Sequence, residues 1–475
     1  MGRAVGRKLG PAAATAAALA LVALVALALS GAFDGGTHSA PLSPALALAA
    51  PAGPSLTITA DPIGLSIEYP LLERDLGSRR CPPAAFVAAV AGLGTPTLRV
   101  GGDSQDEVAP AGTAPPVRRN GGLRGVSDLD TELWTQLGCL ERETGIDVVV
   151  GLNLASGQPA WGAELAAQAR AAIPAARLSF ELGNEPDIYG LRVRWWNGRA
   201  LVSTAMPWPT YLARARQLAA RLGPGAAIEG PDLASGRWIA AVPALARTLH
   251  LRTIDAHFYP LDGCRDPAAV TTANLLSREI QSKLDERVRL ARDARAAGLK
   301  AVISEANSVS CGGVAGVSDE PATAVWGVRT VITALRDGFA SVRFHSSGGP
   351  YDPFVVTGSG VVARPLYVGL RALAGLLAPG ERLRAIPGAG ALDAVALGRP
   401  GGETQTTLLS NYAATPRWVA LEAGGSPARV LAVIARAPTL ERWRVAASGG
   451  RVRVELPANS VVAISIGGAQ PGSST

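Results

Sequence analysis

Two short stretches place carboxyl groups where a carboxyl could react. "FELGNEPD", Phe180 to Asp187, holds Glu181, Glu185 and Asp187, with Asn184 and Pro186 among them. "VISEANS", Val302 to Ser308, delivers Glu305 at the end of an apolar run. Two carboxyls can divide a reaction between them: one protonated, to donate, the other ionised, to attack or to accept a proton. A lone Glu at the end of a strand is as readily a loop salt bridge. Glu185 and Glu305 together, with Asn184 before the first, argue for a reactive pair. They stand 120 positions apart (305 − 185), so only a fold can bring them together.

From Ile63 to about Gly348, short β-rich runs alternate with helical stretches. The strand candidates are "IGLSIEY" (63–69), "PTLRVGG" (96–102), "IDVVVGLNL" (146–154) and "RLSFELGNE" (177–185), then "AAIEGPDL" (226–233), "RTIDAHFY" (252–259), "LKAVISEAN" (299–307) and "ASVRFHSS" (340–347). Between them apolar residues recur at three- and four-residue spacing, predicting helices at 82–92, 128–144, 161–173, 210–222, 238–249, 275–297 and 321–337, with a last at 365–377. Eight strands alternating with eight helices predict an α/β fold, a (β/α)8 TIM barrel over residues 61–377. A doubly wound sheet would need a nucleotide fingerprint near its first strand. The one near-match, "GSGVVA" at Gly358–Ala363, runs into Arg364-Pro365 and fails. Residues 378–467 change texture to short strands separated by Gly, Pro and Asn, predicting a C-terminal all-β sandwich. "SLTITA" (55–60) is expected to add a strand to it, 33–54 to be a linker, and 468–475 a disordered tail.

Reacting groups of such a barrel sit at the C-terminal ends of its strands. There the sequence places Glu68, Asp103, Asn153, Asn184, Glu185, His257, Tyr259, Glu305, Asn307 and His345. Two carboxyls facing each other across the mouth suit retaining glycoside hydrolysis, which needs them about 5–5.5 Å apart. Pro186 is expected to hold Glu185 extended. Glu181 shares Glu185's side of the strand but lies deeper, and is expected to pair with an Arg such as Arg99. Asp187 reads as structural, and His257 and His345 as orienting or core residues.

The motifs "ELGNEPD", "RVGGDSQDE" and "SEANSVSCGG" with "GVSD" resemble glycoside hydrolase family 79, which contains β-glucuronidases and heparanases. The resemblance covers the barrel and the β domain. It implies a retaining β-glucuronidase with Glu185 as acid/base and Glu305 as nucleophile. It implies that Asn184 grips the sugar 2-hydroxyl and Tyr259 holds the nucleophile. Tyr351 and Gly349, with Gly312 and Gly313, match the site for the uronic carboxylate, and Glu68 and Asp103 match positions contacting sugar hydroxyls. Arg192, Arg194 and Arg199 could line an open cleft or be a solvated loop. Other readings remain: a retaining barrel glycosidase on xylosides or arabinosides, or a non-catalytic glycan-binding protein. No metal or organic cofactor and no protein partner are expected.

Four cysteines allow three connectivities. Cys264 follows the sixth strand and Cys311 the seventh, while Cys81 and Cys139 flank consecutive outer helices. This favours Cys264–Cys311 and Cys81–Cys139. The N-terminus, with Arg3, Arg7 and Lys8 before an uncharged stretch from Pro11 to Ser30, has the form of a secretory signal over residues 1–32, or a retained anchor. Export suits an even cysteine count. The formal charge of +7 comes without a dense Lys/Arg cluster, which argues against a nucleic-acid partner.

Overall fold

The computed structural model describes residues 45–113, 127–129, 131–192, 195–196, 201–202, 205–399 and 404–467. The predicted signal at 1–32, the tail at 468–475 and the side chains of Arg192, Arg194 and Arg199 lie outside them.

The alternation of strands and helices resolves as a parallel barrel. Its strands are β1 (Ile63–Ile67), β2 (Thr97–Val100), β3 (Asp147–Leu152), β4 (Leu178–Leu182), β5 (Ile228–Glu229), β6 (Thr253–Phe258), β7 (Lys300–Ala306) and β8 (Ser341–Ser346). β1 to β5 pair in order, and β8 pairs with both β1 and β7. Three backbone bonds close the ring between β5 and β6: Arg252 N–H donates to Ile228 O at 2.8 Å, His257 N–H to Leu233 O at 2.9 Å, and Leu233 N–H to Asp255 O at 3.4 Å. The interior is polar where the site lies. Ser66, Arg99, Gln105, Glu181, Asp232, Asp255 and Arg343 are at most 2 % exposed. Charged groups pointing inward are why β6 and β8 do not read as unbroken apolar runs.

Eight outer helices follow: α1 (Ala84–Ala91), α2 (Glu132–Thr144), α3 (Pro159–Ala172), α4 (Trp208–Leu222), α5 (Val242–Leu249), α6 (Asp285–Ala296), α7 (Ala322–Asp337) and α8 (Pro365–Ala374). The long helix expected at 275–297 is broken into three. Thr271 and Ser277 accept from Asn274 N–H and Ile280 N–H, each at 3.1 Å, so each caps a new helical turn. An extra helix, Tyr69–Leu76, starts directly after Glu68, with Pro70 in its first turn. The rejected "GSGVVA" forms the turn and second strand of a hairpin, Phe354–Thr357 with Gly360–Ala363.

The β domain is a sandwich of a seven-stranded and a three-stranded sheet. The N-terminal strand expected at 55–60 runs from Ala52 to Thr57 and pairs with Arg382–Ala385. The expected linker needs correction. Leu46–Ala47 pairs in parallel with the strand Arg417–Glu422, so this stretch enters the sandwich too. Alternate residues of the large sheet serve two cores: Val395 and Leu397 pack with the barrel, Ala394 and Ala396 inside the sandwich.

Both disulfides form, Cys81–Cys139 with Cα atoms 5.4 Å apart and Cys264–Cys311 with 6.1 Å. Among the described residues no helix is long and apolar enough to cross a membrane.

Candidate active site

β4 ends at Leu182, and the chain continues through Gly183 and Asn184 to Glu185. Glu185 is not extended, as expected from Pro186, but left-handed at φ 49°, ψ 49°. The pre-proline clash disfavours the right-handed helical region. Here the chain escapes it through the small left-handed well and turns at once into the 3₁₀ segment Pro186–Ile188. That reversal, with Glu185 buried, turns its side chain toward β6. His257 Nδ1 lies 3.0 Å from Glu185 Oε1. A non-glycine residue held at positive φ costs on the order of 1–3 kcal/mol and persists only where its surroundings fix it.

Glu305 rises near the end of β7, beside a register shift between β6 and β7 that sets it opposite His257. Both its oxygens are engaged. Tyr259 Oη donates to Oε1 at 2.7 Å, and Arg99 Nη1 to Oε2 at 2.7 Å. His257 and His345 stand 3.8 and 3.7 Å away. Burial alone would raise the Glu305 pKa, but His345, His257, Arg99 and the Tyr259 hydroxyl hold it well below the usual carboxylate range. Burial would lower His257, yet Glu305, Asp232 and Glu185 hold it well above the usual imidazole value.

A carboxylate oxygen of Glu185, a ring nitrogen of His257 and a carboxylate oxygen of Glu305 lie within 4.8 Å of one another. Such a trio has the donor types of a cation site. Arg99 on Glu305 makes it a poor one, since a guanidinium at 2.7 Å already neutralises that carboxylate. The spacing instead matches two carboxyls acting on one atom between them.

Around this pair the expected residues converge. Asn184 Oδ1 accepts from Arg99 Nη2 at 2.9 Å, and its Nδ2 donates to Asp103 at 3.1 Å. Glu68 accepts from the N–H groups of Asp103 and Ser104 at 3.0 and 2.8 Å and from the Ser104 hydroxyl, and its Oε1 lies 3.3 Å from His345 Nε2. Tyr351 is buried, its ring 6.4 Å from that of Tyr259 and 6.0 Å from His345. Gly312, Gly313 and Gly349 meet at its backbone: a Cβ on Gly349 would fall 2.0 Å from Gly312 O, and one on Gly313 2.9 Å from Tyr351 Cβ. Glu181 does pair with Arg99, at 2.7 Å and fully buried. Asp187 is structural as expected, accepting from Ala234 and Ser235 N–H.

Sequence reading underrated Arg99. Beyond Glu181 and Glu305 it also donates to Ser66, Asn184 and Asp232. Asp232 and Asp106 were missed too. Asp106 accepts from Asn184 N–H and the Tyr189 hydroxyl at 2.8 and 2.7 Å, pinning the Asn-Glu turn. An Arg in the middle of a buried strand was the available signal for the first. On the Glu185 side a cavity of about 600 Å³ opens, lined by Tyr259, Phe258, Arg287, Lys283 and the Cys264–Cys311 bridge.

No protein-family model matches the chain, and no curated protein matches it. Solved structures do. A 4-O-α-L-rhamnosyl-β-D-glucuronidase from Fusarium oxysporum 12S superposes with a TM-score of 0.68 at 18 % identity, over 89 % of this chain and 100 % of that one. The family 51 α-L-arabinofuranosidase AbfB from Bifidobacterium longum gives 0.62 at 15 % identity, over 89 % and 99 %. A GH30 xylanase C catalytic domain from Talaromyces cellulolyticus gives 0.56 at 11 %, over 89 % and 99 %. The fold is therefore that of barrel glycoside hydrolases with an appended β domain. Within that class the resemblance to family 79 keeps a structural counterpart, the glucuronidase.

Proposed function

We propose that the protein is an exported retaining β-glucuronidase. The observation that carries this is that a carboxylate oxygen of Glu185 and one of Glu305 lie within 4.8 Å of each other, beside the buried Tyr351. Retaining enzymes hold their carboxyls about 5–5.5 Å apart, inverting ones roughly 6.5–9.5 Å. Two disulfides favour an oxidising compartment.

Glu305, kept ionised by Arg99, Tyr259 and the two histidines, attacks the anomeric carbon. The bond from that carbon to the glycosidic oxygen breaks, and Glu185 gives its proton to the leaving oxygen. Water then attacks the same carbon, Glu185 takes the water's proton, and the bond to Glu305 breaks. Asn184 Nδ2 faces the sugar's 2-hydroxyl. The uronic carboxylate is received by the phenol of Tyr351 and amides of the Gly312–Gly313 and Gly349 loops. Burial pushes the Tyr351 phenol well above its ordinary value, so it serves as a neutral donor.

An arabinofuranosidase is the second reading, favoured by the overlap with AbfB. A panel of 4-nitrophenyl glycosides separates them. Turnover of the β-glucuronide, and its abolition in Glu305→Gln, is expected. Turnover of arabinofuranosides or xylosides but not glucuronides would sink the uronide reading.

A further inference from the structure

The Cys264–Cys311 bridge joins the loops that follow β6 and β7, and both cysteines are exposed on the wall of the Glu185 cavity. The bases of these loops are already held without it. Ser310 N–H donates to Leu261 O at 2.9 Å, and Asp262 Oδ1 accepts from Cys264 N–H, Arg265 N–H and the Ser310 hydroxyl. The disulfide is therefore not what closes the barrel. Its effect is local, on the residues that follow Cys311.

Those residues run against backbone preference. Cys311, Gly312 and Gly313 are consecutively left-handed, at φ 62°, 87° and 85°. A cysteine has a Cβ and resists that well, so something must hold it there. The result of the turn is contact with the glycone site. Gly313 lies so close to Tyr351 that a Cβ would fall 2.9 Å from its Cβ and 3.0 Å from its N, and Gly312 O abuts Gly349. Tyr351 is tied from the other side, where Asn307 Nδ2 donates to its carbonyl at 3.0 Å and Ser347 Oγ lies 2.9 Å from its hydroxyl.

We infer that Cys264 and Cys311 are positioning residues for glycone recognition: their bond holds the Cys311–Gly313 turn against Tyr351 and so sets the affinity of the uronic-carboxylate subsite. This rests on the uronide reading above. Cleaving the bond with dithiothreitol gives two thiols and the cyclic disulfide of the reductant, and leaves the loop bases zipped.

The test compares 4-nitrophenyl β-glucuronide with the β-glucoside, which carries a neutral hydroxymethyl group in place of the carboxylate. Substrates are followed on wild type, on wild type reduced under native conditions, and on the double variant Cys264→Ser with Cys311→Ser. The reduced enzyme and the variant should show KM for the glucuronide raised about five- to twentyfold, with kcat changed less than about threefold. The glucuronide-to-glucoside ratio of kcat/KM should fall in step. Reduction of folded enzyme covers the case in which the variant fails to fold. An unchanged KM and ratio, or an equal loss on both glycosides, would overturn the proposal, because a merely structural bridge weakens both alike. If instead the enzyme turns over a xyloside or arabinofuranoside and no glucuronide, the uronide reading fails. The carboxylate-specific role of the bridge then falls with it, whereas an unchanged KM in an enzyme that does turn over the glucuronide overturns the inference alone.

Discussion

Arg99, Tyr259 and two histidines converge on one carboxylate, and each acts on it differently. The guanidinium binds Oε2 and directs its other donors to Glu181, Asn184 and Asp232, so a single planar group fixes Glu305 and Asn184 relative to each other. Tyr259 is the separable contributor, since its hydroxyl alone holds Oε1 at 2.7 Å. The Glu305 pKa is depressed in the folded protein, where burial is outweighed by His345, His257, Arg99 and Tyr259. Stability from that depression is present above the unfolded carboxylate pKa of about 4.3 and is lost as pH falls through the folded value. In the proposed mechanism activity needs the same ionised form, so the acid limb of kcat/KM from Glu305 is expected below the usual carboxylate range. Tyr259→Phe removes a charge-assisted hydrogen bond of roughly 1.5 kcal/mol, which should move that limb up by about one pH unit. A pH profile of kcat/KM with limbs superimposed on wild type would refute the role of the hydroxyl.

At the scale of elements, what was legible followed from local rules. Period and breaker residues located eight strands and their helices, because each element's burial pattern is a property of its own sequence. The strand-end rule then placed Glu185 and Glu305 on one rim. What escaped depends on partners distant in the chain. Arg99 becomes a hub only when β1, β4, β5 and β7 surround it, and the left-handed turn at Glu185 is imposed by Asp106 holding Asn184 and Tyr189. Arg382–Ala385, second from one edge of the large sheet, escaped because it is only 4 residues long, and Leu440–Val445, at the other edge, because Glu441 and Arg442 in succession break its alternation. The turn after β2 shows how tightly such elements are set. Gly102 sits at φ 98°, and a Cβ there would fall 2.6 Å from Glu68 Oε1 and 2.7 Å from His345 Cε1. Gly102→Ala should therefore cost about 1–2 kcal/mol from backbone strain alone. It should also raise KM by displacing Glu68 and His345. Thermal denaturation beside Michaelis kinetics tests both. An alanine variant with wild-type melting and KM would show that the turn relaxes freely.

The molecule as a whole is not a barrel with a detachable appendage. One face of the seven-stranded sheet belongs to the barrel's core, through Leu383, Val395, Leu397, Leu408, Val433 and Val461. Across that junction Arg329, on α7, is only 1 % exposed. Its Nη1 donates to Leu276 O at 2.9 Å and its Nη2 to Asn411 O at 2.7 Å, and the guanidinium lies 4.0 Å over the Tyr412 ring. Burial pulls its pKa down to about 10, with Tyr412 and Asp393 acting against that shift. A cation so placed is stabilised by two carbonyl dipoles and a ring face; the Asn411 carbonyl and the Tyr412 ring come from the β domain and are lost when the two halves separate, whereas the Leu276 carbonyl belongs to the barrel. Arg329→Met keeps most of the volume and removes the charge, but leaves the carbonyls of Leu276 and Asn411 without their donor. It should destabilise the fold by about 2–3 kcal/mol. Because the shared core remains, unfolding should stay a single calorimetric transition, shifted down by several degrees, with kcat on small glycosides preserved at temperatures below it. Two resolved transitions, one for each half, would show that the junction is docked rather than continuous. An unshifted single transition would show that Arg329 contributes nothing to it.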